Sequence, residues 1–96
     1  MKSILVLLAV AGLVVAGGAS AQSGDEVLKS KGCLGCHDFD RKQVGPAFKD
    51  VAAKYKGNKD AVDMLVAKIK EGKGHPKIGA TDDELKAAVK RVLSTE

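Results

Sequence analysis

A Cys-x-x-Cys-His segment is the feature that most restricts what this 96-residue chain can fold into. Cys33 and Cys36 are three positions apart, and His37 follows directly. At this spacing two thiols can add to the two vinyl groups of one porphyrin, while the adjacent imidazole reaches the iron from the same side. The motif therefore predicts one covalently bound haem c, with His37 as a ligand of the iron.

Three other chemistries also use paired cysteines. A thioredoxin-like redox pair requires a βαβ pattern, which the sequence does not show. A zinc site could combine the two cysteines with His37 and His75, although a histidine directly after the second cysteine is a poor spacing for zinc. A structural disulfide between Cys33 and Cys36 is the third alternative. Haem attachment is favoured over all three.

The first 21 residues have the pattern of an export signal, so we expect the mature domain to comprise residues 22–96. Lys2 gives a positive start, residues 4–18 are an apolar run, and Ala19-Ser20-Ala21 has the small-x-small pattern of a cleavage site. A membrane anchor and a buried helix are the alternatives, but the run is short for a bilayer span of about 20 residues. The signal predicts a periplasmic protein without a membrane span once it has been cleaved.

The mature part is small, and its core is marginal without a cofactor, a metal or a disulfide. Its only aromatic residues are Phe39, Phe48 and Tyr55, so a buried haem would supply the missing apolar bulk. The formal net charge of the whole chain is +4. Export and the interspersed acidic residues argue against nucleic acid as a partner, whereas lysines around the haem fit an acidic redox protein.

Helix signals occur throughout the mature part, and strand-like alternation does not, which predicts an all-α fold. Ser23 and Glu26 have the capping-box spacing, and Gly32 is expected to end the first helix. Pro46 is expected to open a helix over residues 47–54 at its first position. A third helix is expected over residues 59–70.

The fourth helix is expected over residues 82–93, after a second capping box formed by Thr81 and Glu84. Apolar residues recur at helical spacing in the last two predicted helices. These two stripes are Val62, Leu65, Val66 and Ile69, and then Leu85, Ala88, Val89 and Val92. The pattern predicts four helices in all.

The sequence resembles the small class I monohaem cytochromes c of bacteria over nearly the whole mature part. The matching stretches are residues 28–37, 44–55, 65–72, 81–85 and 92–94. The resemblance implies a four-helix fold wrapped around one haem c. It also implies that the carbonyl of Pro46 holds the imidazole of His37, and that Leu65 and Ile69 pack against the haem.

The sequence departs from this family at the position of the second iron ligand. The family has an axial methionine between the last two helices, whereas this chain has a shorter loop that reads Gly74-His75-Pro76-Lys77-Ile78. Arg91 stands where the family has a tryptophan in the final helix. The loop therefore puts the family's methionine ligand in doubt.

Four alternatives for the second iron ligand remain open. His75 is favoured, because it lies in the loop expected to cross the distal face and because imidazole binds haem iron strongly. Met64, the only methionine of the mature part, is expected about 100° or more away from the line joining Leu65 and Ile69. Lys73 or Lys77 could bind only when deprotonated, and an open or water-filled position is the fourth alternative. Two histidines would give a comparatively low reduction potential, since methionine raises it.

These observations predict an electron carrier without enzymatic activity, which moves single electrons in the periplasm. Four lysines near the expected haem edge are candidates for docking unidentified redox partners: Lys31, Lys42, Lys73 and Lys77. The alternatives are a haem sensor or peroxide-reactive protein with an open distal site, and a cytochrome subunit of a larger oxidoreductase. The sequence leaves the oligomeric state open.

Overall fold

A computed structural model gives the fold of residues 22–96, so the predicted export signal lies outside the described residues. This part of the chain forms four α-helices and one short 3₁₀ turn, with no β-strand. The elements are α1 (Gly24–Ser30), the 3₁₀ turn (Cys33–Gly35), α2 (Phe48–Lys54), α3 (Ala61–Glu71) and α4 (Asp82–Leu93). The predicted all-α fold with four helices is confirmed.

Side chains cap the first and last helices, although only one half of the predicted Ser23–Glu26 capping box forms at α1. Ser23 Oγ accepts a hydrogen bond from the Glu26 N–H at 3.2 Å. At the start of α4 both halves of the capping box form: Thr81 Oγ1 accepts from the Glu84 N–H at 3.2 Å, and Glu84 Oε1 accepts from the Thr81 N–H at 2.9 Å. These bonds satisfy amides that a helix start leaves without an intrahelical partner.

Helix α2 begins at Phe48, so the expectation that Pro46 opens it at the first helical position is wrong. The amides of Phe48 and Lys49 donate to the carbonyls of Asp38 and Phe39, at 2.9 and 3.1 Å. Because the preceding loop supplies these acceptors, the helix starts two residues after the proline.

Helix α3 also starts two residues later than expected, because Asn58 forms a turn of its own. The Asn58 side-chain oxygen accepts from the Asp60 N–H at 2.9 Å, and its backbone carbonyl accepts from the Ala61 N–H at 3.3 Å. Helix α4 has the predicted bounds. Among residues 22–96 no helix is long and apolar enough to cross a membrane.

Helix α4 packs between two apolar clusters that together make the core. The first cluster contains Val27, Leu28, Phe48, Ala88 and Val92. The second contains Val66, Leu85 and Val89, with Val62, Leu65 and Ile69 packed against it. Burying a side chain of this size contributes roughly 1.5–3 kcal/mol. Both predicted helical stripes face the core, and α4 joins the two clusters because its buried side chains contribute to each of them.

An ion pair links α4 to α1 beside the first cluster. The Arg91 Nε donates to the Asp25 carboxylate at 2.8 Å. Arg91 is partly exposed, with 35% of its side chain accessible to solvent. This charged side chain thus forms the ion pair without being buried.

Candidate functional site

The 3₁₀ turn holds Cys33, Cys36 and His37 close together at the end of α1. The Cys33 carbonyl accepts hydrogen bonds from the N–H groups of Cys36 and His37, at 3.2 and 3.0 Å. Cys33 is half-buried and Cys36 is exposed, and both are free thiols. Burial raises the pKa of the Cys33 thiol, which keeps that group protonated near neutral pH. The turn therefore presents two thiols and one imidazole in a single short segment.

The imidazole of His37 is held from two directions. Its Nδ1 lies 2.8 Å from the carbonyl oxygen of Pro46, to which it donates in the tautomer that leaves Nε2 unprotonated. Its ring stacks on that of Phe48, with 4.9 Å between the centroids and 23° between the planes. Phe48 is itself buried in the first cluster. The ring of His37 is therefore oriented by a backbone carbonyl and by the core.

Gly45 gives the His37 ring the space that it occupies. A Cβ atom added at Gly45 would lie 2.7 Å from Nδ1 and 2.8 Å from Nε2 of His37, which real Cβ contacts do not tolerate. The Gly45 N–H donates to the Cys36 carbonyl at 2.7 Å, which fixes this close approach. The loop before Pro46 can thus pack directly against the His37 ring only because residue 45 is a glycine and has no side chain.

His75 lies opposite His37, on the loop between α3 and α4. The ring centroids of His37 and His75 are 6.0 Å apart, and the ring planes are within 9° of parallel. Nδ1 of His75 is 2.6 Å from the carbonyl oxygen of the next residue, Pro76. The structure thus brings together the two histidines that the sequence singled out, with a carbonyl next to Nδ1 of each ring.

Two cavities, of about 320 and 300 Å³, are both lined by His37 and His75. The larger one extends to Lys54, Tyr55 and Lys68, and the other extends to Cys33 and Cys36. Apolar side chains make up much of their walls. Leu65 lines the larger cavity and Ile69 lines both. A flat apolar group attached at Cys33 and Cys36 could therefore extend past the two histidines into the larger cavity, towards Lys54, Tyr55 and Lys68.

The other candidate ligands lie away from these cavities. Met64 is 51% exposed, and its sulfur is 4.0 Å from the Asn58 side-chain nitrogen. Lys73 is paired with Glu71 at 3.7 Å, and Lys77 is exposed. None of these three residues lines either cavity. His75 is the only one of the four sequence-predicted distal candidates that faces His37.

The rival interpretations of the cysteine pair find no support among residues 22–96. The described part of the chain has no strand, so the βαβ pattern of a thioredoxin-like site is missing from it. The same residues contain no group of three or more His, Cys, Asp and Glu side chains that could hold a metal ion. The cysteines are not joined to each other in this structure.

The four lysines predicted to dock partners differ in their surroundings. Lys31 pairs with Glu84 at 3.5 Å, and Lys73 pairs with Glu71. Lys42 and Lys77 are exposed, and no ion pair is formed by either one with the described residues. Lys42 and Lys77 thus differ from Lys31 and Lys73 in having no carboxylate partner among the described residues.

Sequence reasoning missed three contributors to the site. The stacking of Phe48 on His37 and the close approach at Gly45 were not anticipated. The cavity end formed by Lys54, Tyr55 and Lys68 was also missed. The Gly-Pro pair before a helix, with an aromatic residue two positions later, was the available signal for the first two. No local signal brings Lys68 of α3 next to the end of α2.

Comparison with known proteins identifies the family. No protein-family model matches the chain. The sequence is 46% identical over 101 residues to cytochrome c-552 of Hydrogenobacter thermophilus, covering 98% of each chain. The fold matches the crystal structure of Nitrosomonas europaea cytochrome c552 with a TM-score of 0.67 and 32% identity, over 75% of this chain and 99% of that one.

A second solved structure matches equally well. Class 1 cytochrome MtoD of Sideroxydans lithotrophicus ES-1 gives a TM-score of 0.69 at 27% identity, over 75% of this chain and 91% of that one. The sequence similarity to cytochrome c-552 of Hydrogenobacter thermophilus covers 98% of each chain, and the fold matches two solved cytochromes. The chain therefore belongs to the class I cytochromes c, which are electron carriers rather than enzymes and hold one haem c covalently.

Proposed function

We propose that this cytochrome is a periplasmic single-electron carrier whose haem iron lies between His37 and His75. The observation that carries the proposal is the arrangement of the two rings, 6.0 Å apart and within 9° of parallel. When bound, the haem supplies reversible one-electron oxidation and reduction of its iron. The protein supplies the covalent attachment, the two ligands and the apolar surroundings.

The spacing of the rings fits an iron bound on both sides by imidazole. Metal–imidazole bonds are about 2.0–2.1 Å long, so two rings bound through Nε2 to one metal have centroids about 6 Å apart. The Nδ1 atoms of His37 and His75 lie against the carbonyls of Pro46 and Pro76, which favours the tautomer with Nε2 unprotonated. Each ring can therefore offer the nitrogen that binds iron.

The cysteines and the cavity walls fit the rest of the group. Cys33 and Cys36 would hold the porphyrin through thioether bonds at one end of the paired cavities. Leu65 and Ile69 would pack against it from α3, in line with their places in the cavity walls. The mostly apolar lining favours burial of an apolar macrocycle.

Ligation by two histidines sets the expected reduction potential. A methionine ligand raises the potential of a c-type haem, and axial ligation is one lever in a range of about 0.8 V. This chain has histidine in place of the methionine, and Met64 does not line either cavity. We therefore expect a potential below that of cytochromes with histidine and methionine ligands.

Optical and low-temperature EPR spectra of the oxidised protein test the ligand assignment. The expected result is a low-spin spectrum without the weak methionine–iron band near the red end of the visible range. His75→Ala should convert it to a high-spin spectrum, and Met64→Leu should leave it unchanged. A methionine band that disappears in Met64→Leu, or a high-spin wild type, would overturn the assignment.

Export is the second part of the proposal and rests on residues 1–21. Cleavage after Ala21 would release the domain of residues 22–96 into the periplasm. Mass spectrometry of the haem protein purified from a periplasmic extract should give a chain that begins at Gln22. A chain that keeps residues 1–21 and remains in the membrane fraction would support an anchor instead.

Docking of an acidic redox protein is the third part of the proposal. Lys42 and Lys77 are exposed, and charge complementarity mainly accelerates association. Electron-transfer rates to an acidic acceptor should fall as salt is added, and Lys42→Glu or Lys77→Glu should reduce them at low salt. Lys90→Glu, on an exposed position of α4, is the control. Equal effects of all three variants would show that only net charge matters.

A further inference from the structure

We infer that His75 is a displaceable ligand, and that the reduced protein accepts a neutral diatomic molecule such as carbon monoxide in its place. This inference rests on the proposed ligation by His37 and His75. It adds a ligand-binding activity to a protein whose family carries electrons.

The two histidines differ in how firmly the protein holds them. His37 Nδ1 is bonded to the carbonyl of Pro46, nine residues away, and its ring stacks on buried Phe48. His75 Nδ1 meets only the carbonyl of Pro76, its own neighbour. A hydrogen bond between adjacent residues moves with the loop, so it does not tie the His75 ring to the rest of the protein.

The loop that carries His75 has few backbone bonds. Among the described residues, the amides of residues 74–79 donate no backbone hydrogen bond, and the only one accepted there is local, from the Ala80 N–H to the Ile78 carbonyl at 3.0 Å. Regions with few hydrogen bonds and exposed backbone open with a low free energy. The loop can therefore move without disrupting a helix or a core cluster.

Two glycines with left-handed backbone angles stand on the α3 side of His75. Gly72 has a φ of 72° and Gly74 a φ of 67°. Glycine adopts this conformation without the steric cost that other residues have. The loop position that brings His75 opposite His37, called the closed position, therefore depends on Gly72 and Gly74. Both glycines can also adopt other backbone conformations at little cost.

Among the described residues, Met64, Lys73 and Lys77 are not placed to take the position of His75 when it leaves. None of the three lines either cavity, although all are near in sequence. Lys54 and Lys68 line the larger cavity, but a cationic ammonium group has no lone pair to give to iron. The apolar walls beside the rings, including Leu65 and Ile69, make it costly to bring in a charged ligand without a partner. A small neutral ligand with affinity for reduced haem iron is the chemistry that fits this position.

The loop equilibrium determines how strongly such a ligand binds. If only a fraction of the molecules has the loop open, the apparent dissociation constant is the intrinsic value divided by that fraction. A substitution that strains the closed loop should raise the apparent affinity for carbon monoxide. Gly74→Ala is such a change, since its side chain would be held at a positive φ.

Stopped-flow mixing of the reduced wild-type protein with carbon monoxide tests the inference. We expect a carbon monoxide difference spectrum and an observed rate that reaches a plateau at the rate of His75 release. His75→Ala should bind without a plateau. A wild-type protein with two histidine ligands that forms no such complex in saturated buffer would overturn the inference, and so would a rate that rises linearly with concentration.

Alanine substitutions at two glycines of this loop, Gly74 and Gly79, provide a test variant and its matched control. Gly74→Ala should raise the apparent affinity about 5- to 30-fold, the effect of a left-handed non-glycine residue. Gly79→Ala lies in the same loop, where an added Cβ would meet no atom within 4 Å, and should change it less than about two-fold. Equal affinities in both variants would contradict a role for the loop. Spectra of the oxidised protein without carbon monoxide separately test the histidine ligation.

Discussion

The guanidinium of Arg91 lies over the ring of Phe39, 4.8 Å from its centroid. Phe39 meets Phe48 edge to face at 5.3 Å, and Phe48 stacks on His37. A side chain on the last helix is thus linked by two aromatic rings to His37, the proposed axial ligand. This packing gives Arg91 a structural role beside the proposed site.

Replacing Arg91 by leucine should lower the free energy of unfolding of the haem protein by about 1–2 kcal/mol, because the cation–π contact and the pair with Asp25 are both lost. Guanidinium chloride unfolding followed by circular dichroism measures this. Lys90→Leu, at an exposed neighbouring position, is the control and should change stability by less than about 0.5 kcal/mol. An equal loss in both variants would argue against the Phe39 contact.

Replacing Gly45 by alanine should displace the ring of His37, the proposed proximal ligand, because the new Cβ would lie 2.7 Å from His37 Nδ1. We expect a loss of about 1–3 kcal/mol in stability and a shifted low-spin EPR signal, as in other overpacked sites. Gly35→Ala, where an added Cβ meets nothing within 4 Å, is the control. An unchanged EPR signal in Gly45→Ala would contradict the close packing of His37.

Replacing Phe48 by leucine should lower stability by about 1–3 kcal/mol and broaden the EPR signal, because the ring that orients His37 is lost. Phe39→Leu removes a ring that contacts Phe48 rather than His37. That variant should be destabilised while its EPR signal stays close to that of the wild type. Identical signals in the two variants would show that the stacking does not orient the ligand.

The Glu84 carboxylate stabilises the folded protein, and this contribution should be lost in acid. The Thr81 N–H, with a smaller effect of Lys31, holds the pKa of this carboxylate below its usual value of 4.5. Because the folded pKa is the lower one, the stabilisation is complete above about pH 4.5 and is lost as the pH falls through the folded pKa. Glu84→Gln should therefore show a flatter fall in melting temperature between about pH 5 and pH 3.

Asp83→Asn provides the control for this pH dependence. Asp83 lies in the same first turn of α4, and its side chain forms no hydrogen bond or ion pair with the described residues. Its melting temperatures should follow the wild-type curve more closely than those of Glu84→Gln. Parallel curves for the two variants would mean that the capping box does not contribute to the acid transition.

Much of the fold could be predicted because its signals are local. Thr81 and Glu84 are three residues apart and determine where α4 begins, and the apolar stripe of α4 identifies its buried face. The start of α2 could not be predicted in this way. It depends on the carbonyls of Asp38 and Phe39, which lie about ten residues earlier in the chain. A short-range pattern contains no information about such partners.

In the candidate site, too, some features have local sequence signals and others depend on tertiary structure. The spacing of the two cysteines and His37 has a chemical meaning that is visible in the sequence, and His75 is visible as the histidine of a short loop expected to cross the distal face. Their alignment across a cavity depends on how α3 and α4 pack. The stacking of Phe48 and the space left by Gly45 are likewise consequences of tertiary structure.

The contact between the first and last helices has a consequence for the order of folding. Val27 and Leu28 of α1 pack against Ala88 and Val92 of α4, so one half of the core joins the two ends of the domain. This half cannot close until the last helix has been synthesised. Cys33 packs against this half of the core, so its thiol should be more accessible before the core closes. If residues 1–21 direct export as proposed, a core that closes last leaves the cysteine turn open for covalent attachment of the haem.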